Sequence, residues 1–494
     1  MSQTLPELFA ARAPEPSRPF LRDTPGGLDT YLDLETEVRR WACRLMAAGI
    51  RPGDRVVYQV EKSPAVLTLH LALLRCGAIQ VPVNPAYPDR EVAVLLADAD
   101  PALVIRDPAR VAVPGAWQSV TLDANGTGTA RELANDDDIA MPTLRSTDGV
   151  ALLYTSGTTG RPKGALLTHA NLVHNAKTLV DAWGFTHDDV LLHILPLFHT
   201  HGLFAATHCV LASGASLVLL PTFDVLRSLE ALPHCSVLMG VPTHYSRLLA
   251  DHRFNASLVR GMRLFVSGSA PMSPALHAAF EAQTGRTVLE RYGMTETSML
   301  ASNPLDGVRK PGSVGPPLPG VAVRVVDDVE TPLVTRSVGH VQVRGPNVFG
   351  GYWRRPDLAD KTFTDDGWFR TGDLGAFDSD GYLELVGRSK DLIISGGLNI
   401  YPQDVEDVLD ALVGVRESAV FGVPDQDLGE RIVAVVVADE SVDLDPEELR
   451  SAARQRLAGY QVPKRIVIVE SLPRNAMGKV AKTVLREVAK EWTT

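Results

Sequence analysis

Cysteine is scarce in this chain of 494 residues: four in all, at Cys43, Cys76, Cys209 and Cys235, in no CxxC or metal-ligand spacing. That excludes a disulfide framework and a zinc ribbon. It leaves free, mostly buried thiols in a reducing compartment, so a cytoplasmic protein is expected. Basic charge is also short. A formal net charge of −11 argues against a general nucleic-acid binder. It says little about small anions, because a local cluster of Arg or Lys can reverse the field inside a cleft. No basic segment followed by an apolar one opens the chain, so no secretory signal is expected. The longest apolar stretch, Phe204 to Pro221, is broken by His208, Gly214 and three small hydroxyls, which suits a buried helix and a core strand better than a membrane span. No internal repeat is present.

What is there is globular: 45% hydrophobic and 22% charged residues, in a chain long enough for two or more cores. Helical and strand-like segments alternate. Leu34 to Ala48 reads as an amphipathic helix, Arg55 to Val60 as a strand, Ala65 to Cys76 as a helix, and Ala78 to Val81 as a short strand stopped by Pro82. Such alternation predicts βαβ units and parallel sheets. Asn125 to Asp138 is polar and then acidic, and reads as a surface loop. From Gly320 the texture becomes β-rich, with strands at Val321 to Val326 and His340 to Val343. A further break near Lys390 precedes an α+β region with helices at Gln403 to Leu412 and Pro446 to Leu457, and strands at Arg431 to Ala438 and Arg465 to Val469.

The chemistry starts at YTSGTTGRPKGALLTH, Tyr154 to His169, which crowds four hydroxyls, three glycines and Lys163 into eleven positions. A loop of that kind lays backbone N–H groups, hydroxyls and an ammonium around a polyanion, most simply phosphate. It is not a Walker loop, because Gly157, Gly160 and Gly164 have other spacings and Lys163 precedes a glycine. ERYGMTE, Glu290 to Glu296, reads as a strand end and a turn, with Thr295 and Glu296 suited to an α-phosphate and its Mg²⁺. VSGSAPM, from Val266, is a small-residue turn on which a flat ring can lie. WFRTGDLG presents Asp373, suited to a ribose, and GRSKD adds Arg388. LPRNAMGK places Lys479 on a loop, where a mobile ammonium can reach into a cleft. Singly, each of these is weak.

Together and in this order they resemble the adenylate-forming superfamily of acyl-CoA synthetases, adenylation domains and firefly-type luciferases, over nearly the whole chain. The resemblance implies an α/β fold: a large N-terminal domain (1–389) of two α/β subdomains and a small β-barrel-like subdomain, with a mobile α+β C-terminal domain (390–494). It implies ATP plus a carboxylate giving acyl-adenylate and pyrophosphate, then a thioester with coenzyme A. By the same resemblance Thr155, Ser156, Gly157, Thr158, Thr159, Gly160 and Lys163 wrap the pyrophosphate. Thr295 holds the α-phosphate, and Glu296 with Thr155 holds Mg²⁺. Ser269, Ala270, Pro271, Glu290, Arg291 and Tyr292 line the adenine, and Asp373 and Arg388 bind the ribose. Lys479 bridges the attacking carboxylate and the α-phosphate. The C-terminal domain then rotates about Lys390, bringing Ser395, Gly396 and Gly397 to the pantetheine path. His199, in PLFHTHG, matches a position near the acyl and CoA path, with a structural histidine as the competing account.

Arg291 bears on the acyl group. The superfamily commonly has a small or apolar residue there, and a buried guanidinium needs an anion. The anion is either Glu290 or another protein carboxylate, or a second carboxylate on the substrate, with Ser267 and Arg247 as further candidates for holding it. The segments LPLFHTHGLF, MGVPTHYSRLL and LERYGMTETSM are similar to those of malonyl-CoA synthetases, which implies malonate, with methylmalonate tolerated. The alternatives are another short acid such as oxalate, or the loading of a carrier protein. A monomer or weak homodimer is expected, without nucleic acid or membrane as partner.

Overall fold

In the computed structural model the described residues are 3–22, 28–110, 113–134, 139–155, 163–396, 398–425, 428–439, 442–475 and 479–489. The first sheet contains β1 (Arg55–Gln59), β2 (Ile79–Pro82), β3 (Leu103–Arg106), β4 (Gln118–Thr121), β5 (Gly149–Thr155) and β6 (Lys163–Thr168). Their order is β4-β3-β1-β2-β5-β6, all parallel except the β5–β6 hairpin. Apolar strands this short are buried on both faces, so helices must cover the sheet and supply the crossovers. The helix Pro64–Cys76 shows how local sequence sets them. Ser63 caps it by accepting from the Val66 N–H, proline opens it, and Gly77 closes it in the left-handed region at φ 70°.

The second sheet repeats the plan with β7 (Val190–His193), β8 (Ser216–Leu219), β9 (Val237–Gly240), β10 (Leu264–Ser267), β11 (Val288–Met294) and β12 (Ser298–Ser302). Its order is β12-β11-β10-β9-β7-β8, parallel except for β11–β12. A third layer, β13 (Ala322–Val326), β14 (Gly339–Arg344), β15 (Phe369–Phe377) and β16 (Leu383–Arg388), is antiparallel. A barrel-like unit was expected here; among the described residues no pairing joins β13 to β16, and the layer is a four-stranded sheet. The last sheet holds β17 (Ile393–Ser395), β18 (Leu398–Ile400), β19 (Val415–Asp425), β20 (Gly429–Ala438) and β21 (Arg465–Val469), in the order β18-β17-β20-β19 with β21 parallel to β20.

One core of buried side chains runs through the first three layers, and a second, built around Phe254, Phe265 and Phe280, covers the other face of the second sheet. The last sheet has apolar clusters of its own on both faces. The expected helices and strands are present within a few residues of their predicted ends. One expectation changes. ERYGM is strand rather than strand end, because β11 continues past β10 to pair with β12. Asp373 lies within β15, cross-strand from Arg388.

Candidate active site

β11, β10, β9 and β7 are parallel neighbours, so their carboxyl ends share one edge, the edge at which open α/β sheets bind ligands. Arg291 stands there. Ser267, the last residue of β10, pairs with Glu290, and Arg291 is the first residue beyond it. Successive strand side chains point to opposite faces. Glu290 accordingly turns away, accepting the Met272 N–H at 3.0 Å and facing His277 Nε2 at 3.1 Å. The pair between Glu290 and Arg291 considered above is therefore not formed.

The guanidinium of Arg291 instead lies against Gly268, where an added Cβ would sit 2.5 Å from its Cζ. Only glycine leaves that room. Arg291 is 3% exposed, and its Nε and Nη2 have no partner among the described residues. Two more buried polar atoms nearby are equally unsatisfied, Ser267 Oγ and His201 Nε2. Burial pushes Arg291 down to about 10, with Tyr245 acting weakly the other way. His201, whose Nδ1 is 3.4 Å from Ser269 Oγ, is held neutral by burial and then by the charge of Arg291. His199 is only partly exposed to the cleft; burial, Lys479 and Arg291 push it down to about 3. It accepts the His201 N–H at 3.3 Å.

His201 opens a wide π-type turn, His201–Ala206, before the α-helix Thr207–Ser213. Such turns are uncommon and concentrate at functional sites. The Gly202 carbonyl accepts the Thr207 hydroxyl at 2.9 Å and lies 3.1 Å from His193 Nε2.

A second corner is fully paired. Asp373 Oδ1 meets Arg388 Nε at 2.6 Å, and the Tyr292 hydroxyl donates to Asp373 Oδ2. Burial raises the Asp373 pKa, opposed by Arg388 and Tyr292. Glu296, in the turn after β11, accepts the Tyr352 hydroxyl at 2.9 Å, and burial raises its pKa also. The Lys163 ammonium lies 5.5 Å from the centre of the Tyr352 ring, so this tyrosine links the lysine that closes the phosphate loop to Glu296. Thr155 pairs with Lys163 across the hairpin, its hydroxyl 3.4 Å from the Lys163 carbonyl. Ser156, Gly157, Thr158, Thr159 and Gly160 lie outside the described residues, as does Gly397. Ser269 takes φ 69°, turning the chain toward Ala270 and Pro271.

Lys479 closes a turn with Asn475, donating its N–H to Asn475 Oδ1 at 3.0 Å and accepting the Asn475 N–H at 2.8 Å. The residue is exposed as a whole, while its ammonium faces the charges of the cleft; burial of that end, Arg388 and Arg291 lower its pKa to about 8, against Asp373 and Glu296. One loop thus brings a cation between the paired corner and Arg291. Thr295 is half-buried beside Glu296. A single buried carboxylate flanked by hydroxyls fits a Mg²⁺ carried mainly by substrate phosphates, and among the described residues no larger acidic cluster could hold a metal. Arg247 is solvent-exposed in the last turn of Pro242–Leu249. Lys390 is exposed in the single turn Ser389–Asp391, Ser395 ends β17, and Gly396 follows it at φ 59°. Tyr352 and His201 were not singled out from the sequence; His201 stands two residues from His199, and the Gly-Tyr-Trp around Tyr352 carries no signal of its partner.

Residues 8–353 match the family described as AMP-binding enzyme, and residues 404–479 match the AMP-binding enzyme C-terminal domain. The chain belongs to the AMP-binding enzymes. The malonate–CoA ligase ACSF3, mitochondrial, of Bos taurus is 37% identical over 504 residues, 92% of this chain and 86% of that protein. A feruloyl-CoA synthase of Amycolatopsis sp is also 37% identical, over 461 residues, 92% of this chain and 93% of that protein. MatB from Rhodopseudomonas palustris is 44% identical, covering 100% of both chains, and superposes with a TM-score of 0.95 in its ATP-bound structure and 0.85 in its apo structure.

Proposed function

We propose that the chain is an ATP-dependent malonate–CoA ligase that works through malonyl-adenylate, with methylmalonate as a tolerated acid. The relatives include malonate–CoA ligases at 36–37% identity and MatB at 44%, beside a feruloyl-CoA synthase at 37%. The supporting observation is the unsatisfied donor set of Arg291 Nε and Nη2, Ser267 Oγ and His201 Nε2 at the strand ends. Apolar acids would leave it unpaired; a distal carboxylate satisfies it.

In this reading the proximal carboxylate oxygen attacks the α-phosphorus of ATP, and the bond to pyrophosphate breaks. Lys479 neutralises charge between the two anions, and Thr295 donates to the α-phosphate. Thr155 to Lys163 take the leaving pyrophosphate, and Asp373 with Arg388 fixes the ribose. Glu296 with Thr155 would hold Mg²⁺, which screens the phosphate charge when bound. The CoA thiolate then attacks the acyl carbonyl and AMP leaves. We assign 1–389 and 390–494 to separate domains with Lys390 as hinge and the segment from Ser395 as thiol path. Support comes from the two TM-scores, which differ between two states of one relative at the same identity. A monomer or weak homodimer in the cytoplasm completes the reading, the latter on the four buried cysteines.

The test is an assay with ATP, Mg²⁺, CoA and a panel of malonate, methylmalonate, oxalate, propionate and ferulate. Malonate should give the highest kcat/KM, with AMP and pyrophosphate as products. ADP formation, or an equal response to propionate, would refute it.

A further inference from the structure

In a doubly wound sheet the binding crevice opens between the two strands whose outgoing connections run in opposite directions. In the second sheet those strands are β7, which connects to β8 on one side, and β9, which connects to β10 on the other. At the carboxyl end of β7 stands His193, and His244 lies four residues past the end of β9.

A side chain from the first sheet reaches this crevice. Lys62, just before the helix Pro64–Cys76, is 7% exposed and donates its ammonium to the His193 carbonyl at 2.7 Å. That neutral oxygen is its one hydrogen-bond partner among the described residues. Apart from Arg291, the remaining buried cation among the described residues is matched: Arg106 pairs with Asp89. The imidazoles around Lys62 cannot serve, because burial holds both His193 and His244 uncharged, with the charge of Lys62 adding to the effect. His193, His244 and Arg291 all lie close enough to His201 for their charges to act on it. Lys62 and Arg291 therefore flank one histidine cluster, and neither has a carboxylate partner among the described residues. Burial with no carboxylate beside it pushes the Lys62 ammonium well below its ordinary pKa, and an anion bound next to it would restore the charge, so a ligand carboxylate is the natural occupant.

We infer that Lys62 is a specificity-determining cation of the acyl crevice, meeting the distal carboxylate of a dicarboxylate substrate from the β7–β9 side while Arg291 meets it from β11. The inference rests on the malonate reading and adds a second recognising charge to it. No chemical step is assigned to Lys62; it selects the dianion.

The test compares kcat/KM for malonate and for propionate in wild type, Lys62→Gln and Lys62→Arg. Glutamine carries an uncharged donor one bond shorter, and arginine keeps the charge. The malonate-to-propionate ratio should fall about tenfold in Lys62→Gln, chiefly through KM for malonate, and should be kept in Lys62→Arg. A ratio unchanged in Lys62→Gln, or equal losses for both acids, makes Lys62 a structural residue and overturns the inference. So does a ratio lost in Lys62→Arg, which stands even if Lys62→Gln fails to fold. Wild type without preference for malonate refutes the substrate reading itself, a separate and earlier failure.

Discussion

The two parallel sheets share a topology and differ in what fills it. Strands β4-β3-β1-β2 and β10-β9-β7-β8 follow the same order, so each sheet has a crevice between equivalent strands, β1/β3 and β7/β9. In the first sheet the polar groups at the crevice are satisfied by protein. Arg106 Nε donates to Gln59 Oε1 at 3.0 Å, Arg106 pairs with Asp89, and Gln59 Nε2 reaches the Tyr87 carbonyl at 2.9 Å. In the second sheet Lys62, Arg291, Ser267 and His201 leave charge and donors unmatched. A fully satisfied polar cluster rigidifies a fold, whereas an unsatisfied one costs stability until a ligand completes it. The hairpins differ too. β5–β6 extends the first sheet beside β2 and carries the phosphate loop, while β11–β12 extends the second beside β10 and carries Arg291 and Glu296.

The largest break expected is Lys479→Ala, which removes the cation lying between the paired corner and the unpaired one. Adenylate formation should fall about 10³-fold, while supplied malonyl-adenylate is still converted to thioester. Equal losses in both half-reactions would refute the two-conformation reading. The same lysine sets a pH limb. Its pKa is lowered to about 8, so the free enzyme carries the needed charge below that pH and loses it above. The kcat/KM for adenylation should therefore decline as pH rises through about 8, and a flat profile to pH 9.5 would refute that assignment.

Arg291→Ala and Arg106→Ala set the two crevices against each other. The first should cut kcat/KM for malonate about 10²-fold or more and harm propionate far less, since a desolvated charge pair is worth about 3–5 kcal/mol. The second should leave that preference in place and lower unfolding stability by about 1–3 kcal/mol in a urea titration. Arg291→Ala should melt closer to wild type than Arg106→Ala does, because it removes a charge with no partner. The reverse order of melting temperatures would mean that Arg291 is structural. Smaller again is Tyr352→Phe. Losing the hydroxyl that orients Glu296 should raise the Mg²⁺ needed for half-maximal pyrophosphate release about tenfold, with thioester formation from supplied adenylate untouched.

What the sequence made legible was local. The glycine-rich loop, VSGSAPM and ERYGMTE each sit at a strand end or hairpin, and their order along the chain told of one site. The helix Pro64–Cys76 was readable from its apolar run. ERYGM as strand was not, because a polar run lacks alternation and past Glu290 pairs only through β12, which lies later in the chain. β19 was missed for the same reason: Val415–Asp425 contains Arg, Glu, Gly and Pro, and becomes a strand by lying along β20. Lys62 and Tyr352 were invisible because their partners are 131 and 56 residues away. That Glu290 and Arg291 do not pair follows from strand alternation, which became usable only once β11 was known to run through both.

The smallest effect expected is at Arg247, the residue the sequence offered as a second recognising charge. It stands on the helix Pro242–Leu249, near enough to His244 to be one of the charges holding that imidazole neutral. But it is solvent-exposed, and an exposed guanidinium acts across water and counter-ions, where screening over about 8 Å removes most of its pull. Lys62 has the opposite balance: it is buried and reaches the same crevice from the first sheet. If burial decides which cation selects the substrate, Arg247→Ala should change the malonate-to-propionate ratio by less than about twofold. Any small loss should vanish at 0.5 M salt, whereas the Lys62→Gln loss should persist there, because buried charges are screened much less. A loss at Arg247→Ala as large as that at Arg291→Ala, and insensitive to salt, would mean that Arg247 turns inward over the bound acid and that the second charge lies on the helix after β9.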